Sequence, residues 1–149
     1  MELGTITSTD IDQVRDAVSD SDKMKNRADR LLVAMREFAA DGWARASWGI
    51  AIGAQENGVV PISTPFGEAR ARIEMSVGAR GVQAVIRFEK AGRDEADQAI
   101  WLPAWRIAAT KDGFFCGVDY DQKISLKEYD ADGFYAEALL CLLYAIGKA

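Results

Sequence analysis

Two adjacent runs of strict apolar–polar alternation dictate most of what this chain can become. Ala69, Ala71, Ile73, Met75 and Val77 fall on one side of an extended segment, and Glu68, Arg70, Arg72, Glu74 and Ser76 on the other. After Gly78-Ala79-Arg80-Gly81 the alternation resumes, with Val82, Ala84, Ile86 and Phe88 inward and Gln83, Arg87 and Glu89 outward. A period of two on both sides of so short a turn requires an antiparallel pair with one wet face. The outward arginines alternate with Glu74 and Glu89, positions suited to cross-strand ion pairs.

The flanking segments follow other periods. Residues 9–20 read as a short helix, capped by Thr9 with Asp12 three residues on, and with Ile11, Val14 and Val18 as its apolar side. Ser21 offers a second cap, and Met24, Ala28, Leu31, Leu32, Met35, Phe38 and Ala39 then share one helical face up to a stop at Asp41-Gly42. Beyond Gly42 the period changes to two (Trp48, Ile50, Ile52), and Asn57-Gly58 is a hairpin turn into a strand at 59–63. Running the helix on through Ala54 competes with this, at the cost of Gly42, Gly49 and Gly53. Residues 91–98 form a polar loop. A strand over 99–109 must place Pro103 at an edge or a bulge. Strands at 114–120 and 124–129 follow, and a helix runs from Asp132 to Ile146. The expected fold is α+β: two N-terminal helices, an antiparallel β-meander of roughly five to seven strands, and a C-terminal apolar helix packed on the sheet, in one domain over residues 1–149.

Composition narrows the chemistry. The chain has no histidine, which excludes Cys/His zinc sites and every Ser-His-Asp or Cys-His device. No phosphate loop is present, since Gly49-x-x-x-Gly53 and Gly78-x-x-Gly81 lack the lysine and hydroxyl residue. Residues 128–133 resemble the first half of an EF-hand calcium loop, but Leu139 stands where a bidentate glutamate is needed. The expectation is therefore a protein with no catalytic residues, no metal and no cofactor. Cys116 and Cys141 have apolar neighbours and read as buried free thiols. The first residues carry no basic leader, and the apolar run near the C-terminus is too short to span a bilayer, so a cytoplasmic location is expected.

Charge supplies the functional expectation. The net charge of −5 resides entirely in the first 22 residues, and the remaining acids and bases cancel. Asp12, Asp16 and Asp20 recur at helical spacing and form the candidate partner-binding stripe, with a solvated helix face as the plainer alternative. The reading that follows is a non-catalytic inhibitor or adaptor docking on a basic protein surface. Small acidic proteins without motifs are frequent among phage anti-defence proteins, including anti-CRISPR proteins, and that type is the finer expectation. The C-terminal helix, apolar on nearly all sides, should be covered on more than one side, either at the centre of the fold or by a second copy of the chain or a partner. The alternative from another class is a small-molecule binder or histidine-free enzyme, with a pocket between sheet and helices built from Arg72, Arg87, Trp101, Trp105 and Tyr120. The same arginines and tryptophans suit a single-stranded nucleic acid, but the acidic balance opposes phosphate binding.

Overall fold

A computed structural model describes residues 4–78, 80–116, 122–124 and 131–149. The chain opens with one long helix, α1 (Ser8–Ala40), and a short one, α2 (Gly42–Trp48). A meander of seven strands follows: β1 (Ala51–Ile52), β2 (Val59–Thr64), β3 (Gly67–Gly78), β4 (Gly81–Arg93), β5 (Ala99–Thr110), β6 (Gly113–Cys116) and β7 (Gln122–Ile124). The strands lie in sequence order, each antiparallel to its neighbours. The last element is α3 (Ala131–Lys148). This is the α+β architecture expected, with the helices gathered on one face of the sheet. Among the described residues no helix is long and apolar enough to cross a membrane.

Three local expectations are corrected. Two N-terminal helices exist, but they divide at Asp41 and not at Ser21. The Ser21 hydroxyl donates to the Val18 carbonyl at 2.8 Å, so it is satisfied inside the helix and caps nothing. The cap of α1 is Thr7 rather than Thr9: its Oγ1 accepts from the Asp10 amide, and the Thr7 amide donates to Asp10 Oδ2 at 2.8 Å. Those bonds to Thr7 hold the Asp10 carboxyl below the usual carboxylate range. Residues 42–48 are helical, with Asp41 as the new cap. Left-handed Gly49 (φ 64°) ends that turn before the chain extends, so both readings of 43–54 hold for part of the segment.

The core is one layer between the helices and the inner sheet face. Met24, Ala28, Leu31, Leu32, Met35 and Ala39 of α1 meet Ala84, Ile86, Phe88, Ile107 and Ala109, and Leu139, Leu142 and Ile146 of α3 close the remaining side. Phe88 stacks on Trp105 with ring centroids 5.5 Å apart. Arg27 ties α1 to the β5–β6 turn by donating to the Thr110 carbonyl at 2.6 Å. Pro103 sits at a β-bulge, where the register of β5 against β4 shifts between Phe88 and Glu89. Among the described residues β6 pairs with β5 only over Ala108–Thr110, so Pro103 also lies where β5 has no partner on its other side.

Candidate functional site

The helix and the sheet do not end together, and the mismatch creates the most distinctive surface. At 1.5 Å per residue α1 is about 50 Å long, and its first buried residue is Ala17. Its opening turns therefore overhang the sheet. Ile11, Val14 and Val18, expected to face the core, are 51, 54 and 68% exposed. Met75 and Val77 continue the inner face of β3 but are 41 and 49% exposed, because no helix reaches over them.

The orientation of α1 turns these two groups towards the same side. Asp16 and Asp20 face the β5–β6 side, in a groove shared with Arg80 and Lys111. Asp29, Val33 and Arg36 face the opposite side, against Gly53 and Val60. Helical spacing puts Ile11, Val14 and Val18 on this second flank, towards β3. The strand there has a free edge. β2 pairs with β3 only from Gly67 to Arg72, so among the described residues 73–78 have no ladder partner on that side. The exposed apolar flank of α1 and about 20 Å of unpaired strand edge on β3 thus lie on the same side of the molecule.

The expected acidic stripe is split by this geometry. Asp12 lies 3.6 Å from Arg15 and Asp20 lies 3.9 Å from Lys23, both loose, exposed pairs. Asp16 and Asp20 look across their groove at Arg80 and Lys111, two bases of the same chain, while Asp12 does not line it.

The alternative ligand residues come together only in part, and on a different face. Arg72 and Arg87 line a cavity with Arg106 beside the β4–β5 bulge on the outer face, whereas the Trp105 ring stacks on Phe88 on the inner face and borders a cavity between β5 and α3. Trp101 lies outside that cavity, with the Arg70 guanidinium 4.3 Å above its ring. Tyr120 lies outside the described residues. On this outer face Glu89, only 8% exposed, is the hub. Its Oε1 accepts from Arg70 Nε and Arg72 Nε, each at 2.9 Å. Glu74 accepts from Arg72 and Arg87. The hydrogen bonds from Arg72 to Glu89 and from Arg87 to Glu74 hold both carboxyls below the usual glutamate range, and Glu89 raises Arg72 in turn.

One side of α3 is also bare. Phe134, Ala138, Leu139, Leu142, Leu143 and Ile146 are buried, but Leu140, Cys141 and Tyr144 are exposed. The expectation of a buried Cys141 is thus corrected: it is exposed, on the side of α3 that borders a cavity with Pro103, Ala104 and Trp105 of β5. Partial burial and the nearby Glu137 carboxylate push its thiol upward, away from the reactive thiolate. Cys116 is half-buried.

The chain matches no protein-family model, no curated protein and no solved structure. Function is therefore argued from geometry alone. Sequence reasoning found the arginines but missed the open edge of β3. The available signal was length: β2 is half as long as β3, so half of β3 had to lack a partner on that side.

Proposed function

We propose that this protein is a non-catalytic protein-binding module, an inhibitor or adaptor, whose open β3 edge and exposed α1 flank capture a segment of a basic partner. The observation that carries the reading is the unpaired edge of β3, together with the exposure of Met75 and Val77 on that strand and of Ile11, Val14 and Val18 on α1. An added strand supplies the missing ladder bonds, and its alternate apolar side chains cover the exposed apolar ones. The net acidity of residues 4–22, where Asp10, Asp12, Asp16, Asp20 and Asp22 stand against Arg15 alone, favours a basic segment through the long-range field, since Asp16 and Asp20 themselves face the other flank of α1. The partner segment is extended, apolar on alternate residues and rich in lysine or arginine. The anti-defence type remains an expectation from composition, to which the fold adds nothing.

The test is capture from a bacterial lysate, followed by hydrogen exchange on the purified complex. Residues 73–78 should gain protection, and Val18→Lys or the combined Asp12→Asn, Asp16→Asn, Asp20→Asn variant should lose the partner at an unchanged melting temperature. Retention of the partner by both variants, or protection elsewhere only, overturns the reading.

For the bare side of α3 we propose a second copy of the chain. Glu137 and Lys148 sit at opposite ends of the Leu140, Cys141 and Tyr144 stripe, so an antiparallel two-fold pairing sets each acid against the other copy's base. Sedimentation should show Glu137→Lys or Lys148→Glu alone weakening a dimer and the two together restoring it. A wild-type chain that stays monomeric at high concentration refutes the pairing.

A further inference from the structure

The bare side of α3 is not flat. Glu137, Cys141, Tyr144 and Lys148 border a groove of about 640 Å³ whose other wall is Pro103, Ala104 and Trp105 of β5. Side-chain size sets this hollow. Cys141 and Ala145 on the helix and Ala104 on the strand are small, so the two elements do not fill the space between them. Trp105 is held from the core side, where its ring stacks on Phe88. Next to the hollow stands a projection. Tyr144 is 70% exposed, with the Lys148 ammonium 5.8 Å from its ring centroid and the apolar body of the ring left in water. A surface that carries a knob beside a hole is self-complementary under a two-fold axis, because each copy then offers both halves.

The spacing along α3 says which residues meet. Glu137, Cys141, Tyr144 and Lys148 follow one another at intervals of four, three and four residues, the spacing of a helix–helix seam. An antiparallel seam that opposes Glu137 and Lys148 has its midpoint between Leu142 and Leu143. Cys141 and Tyr144 share that midpoint, so the register fixed by the charges also sets the large exposed ring against the small residue beside the hollow. A parallel two-fold seam would set each residue against itself, with Tyr144 on Tyr144 and the two Lys148 ammonium groups in repulsion.

We propose that Tyr144 anchors the pairing of two copies: its ring passes over Cys141 of the other copy and seats in that copy's groove, against Ala104 and Trp105. The inference rests on the pairing through α3 proposed above, and it adds β5 to an interface that the helix stripe alone would not extend to. Aromatic side chains seated in a partner's pocket carry a disproportionate share of binding energy, and the two-fold axis uses this contact twice.

The test follows the full chain by sedimentation and by a dilution series of the tryptophan indole N–H signals. The Trp105 signal, assigned as the one lost in Trp105→Phe, should move as the pair forms. Tyr144→Ala should weaken pairing by about thirtyfold or more, whereas Tyr144→Phe keeps the ring and should pair nearly as well as the wild type. Cys141→Phe fills the hole and should weaken pairing as well. Both positions are exposed, and melting temperatures taken at a dilution where the wild type is monomeric show that the variants are folded. A wild type that stays monomeric at high concentration overturns the pairing and the anchor together. A pair that responds to charge exchange at Glu137 and Lys148 but is indifferent to Tyr144→Ala overturns the anchor alone. So does a Trp105 signal that stays fixed while the pair forms.

Discussion

Replacing Glu89 with glutamine isolates the electrostatics of the outer face, because shape and one acceptor oxygen are kept while the charge is lost. Glu89 receives Arg70 Nε and Arg72 Nε at 2.9 Å and Arg72 Nη2 at 3.3 Å. Hydrogen bonds to a charged group contribute about 1.5–3 kcal/mol net. The Arg70 and Arg72 side chains are 26 and 36% exposed, so water screens part of this. A loss of about 1–2 kcal/mol is expected, which for a chain of this length lowers the melting temperature by roughly 2–8 °C. The pH dependence has a definite sign. A carboxyl whose folded pKa is lowered stabilises fully above its unfolded value, and that contribution fades as pH falls through the folded one. The gap between wild type and Glu89→Gln should therefore be complete at neutral pH and narrow below the ordinary glutamate value of 4.5. Thermal melts of both proteins from neutral to acid pH measure it. Coincident melts at neutral pH, or a gap that widens in acid, would refute the argument.

Four further substitutions probe the fold. Thr7→Ala removes the capping box and should cost about 1 kcal/mol, while Thr9→Ala, one residue inside the helix, should cost little; urea titrations separate them. Ile86→Ala opens a hole in the centre of β4, where the side chain is fully buried, and should lower stability by about 2–5 kcal/mol in the same assay. Arg27→Gln breaks the donation to the Thr110 carbonyl; amide exchange at the β5–β6 turn should speed up several-fold while exchange in β3 stays unchanged.

Legibility followed how local each rule is. The β3–β4 pair was plain because alternation and a short Gly-bounded turn act over adjacent residues, and the inward set of Ala69, Ala71, Ala84, Ile86 and Phe88 is indeed buried. Pro103 announced an edge or a bulge, and both hold: the register shifts there, and among the described residues β6 does not reach that far along β5. The helix division was misjudged at Ser21, because a serine that could cap can equally bond back to its own helix.

By itself the sequence determined the class of fold, the inward face of β3, β4 and the main length of α1, and the Arg–Glu alternation that becomes the outer lattice. Those are consequences of side-chain period and of which residues tolerate a turn. Only the tertiary structure decided where apolar side chains would lack a cover. Ile11, Val14 and Val18 have the spacing of a buried face, and Met75 and Val77 the alternation of a buried strand side. They are bare because α1 overshoots the sheet and β2 stops short along β3. Likewise, the cross-strand register, set by the turns, aligned Arg72, Arg87 and Arg106 in one row beside the bulge. Burial depends on what arrives from elsewhere in the chain, and no local pattern records the length at which a distant element ends.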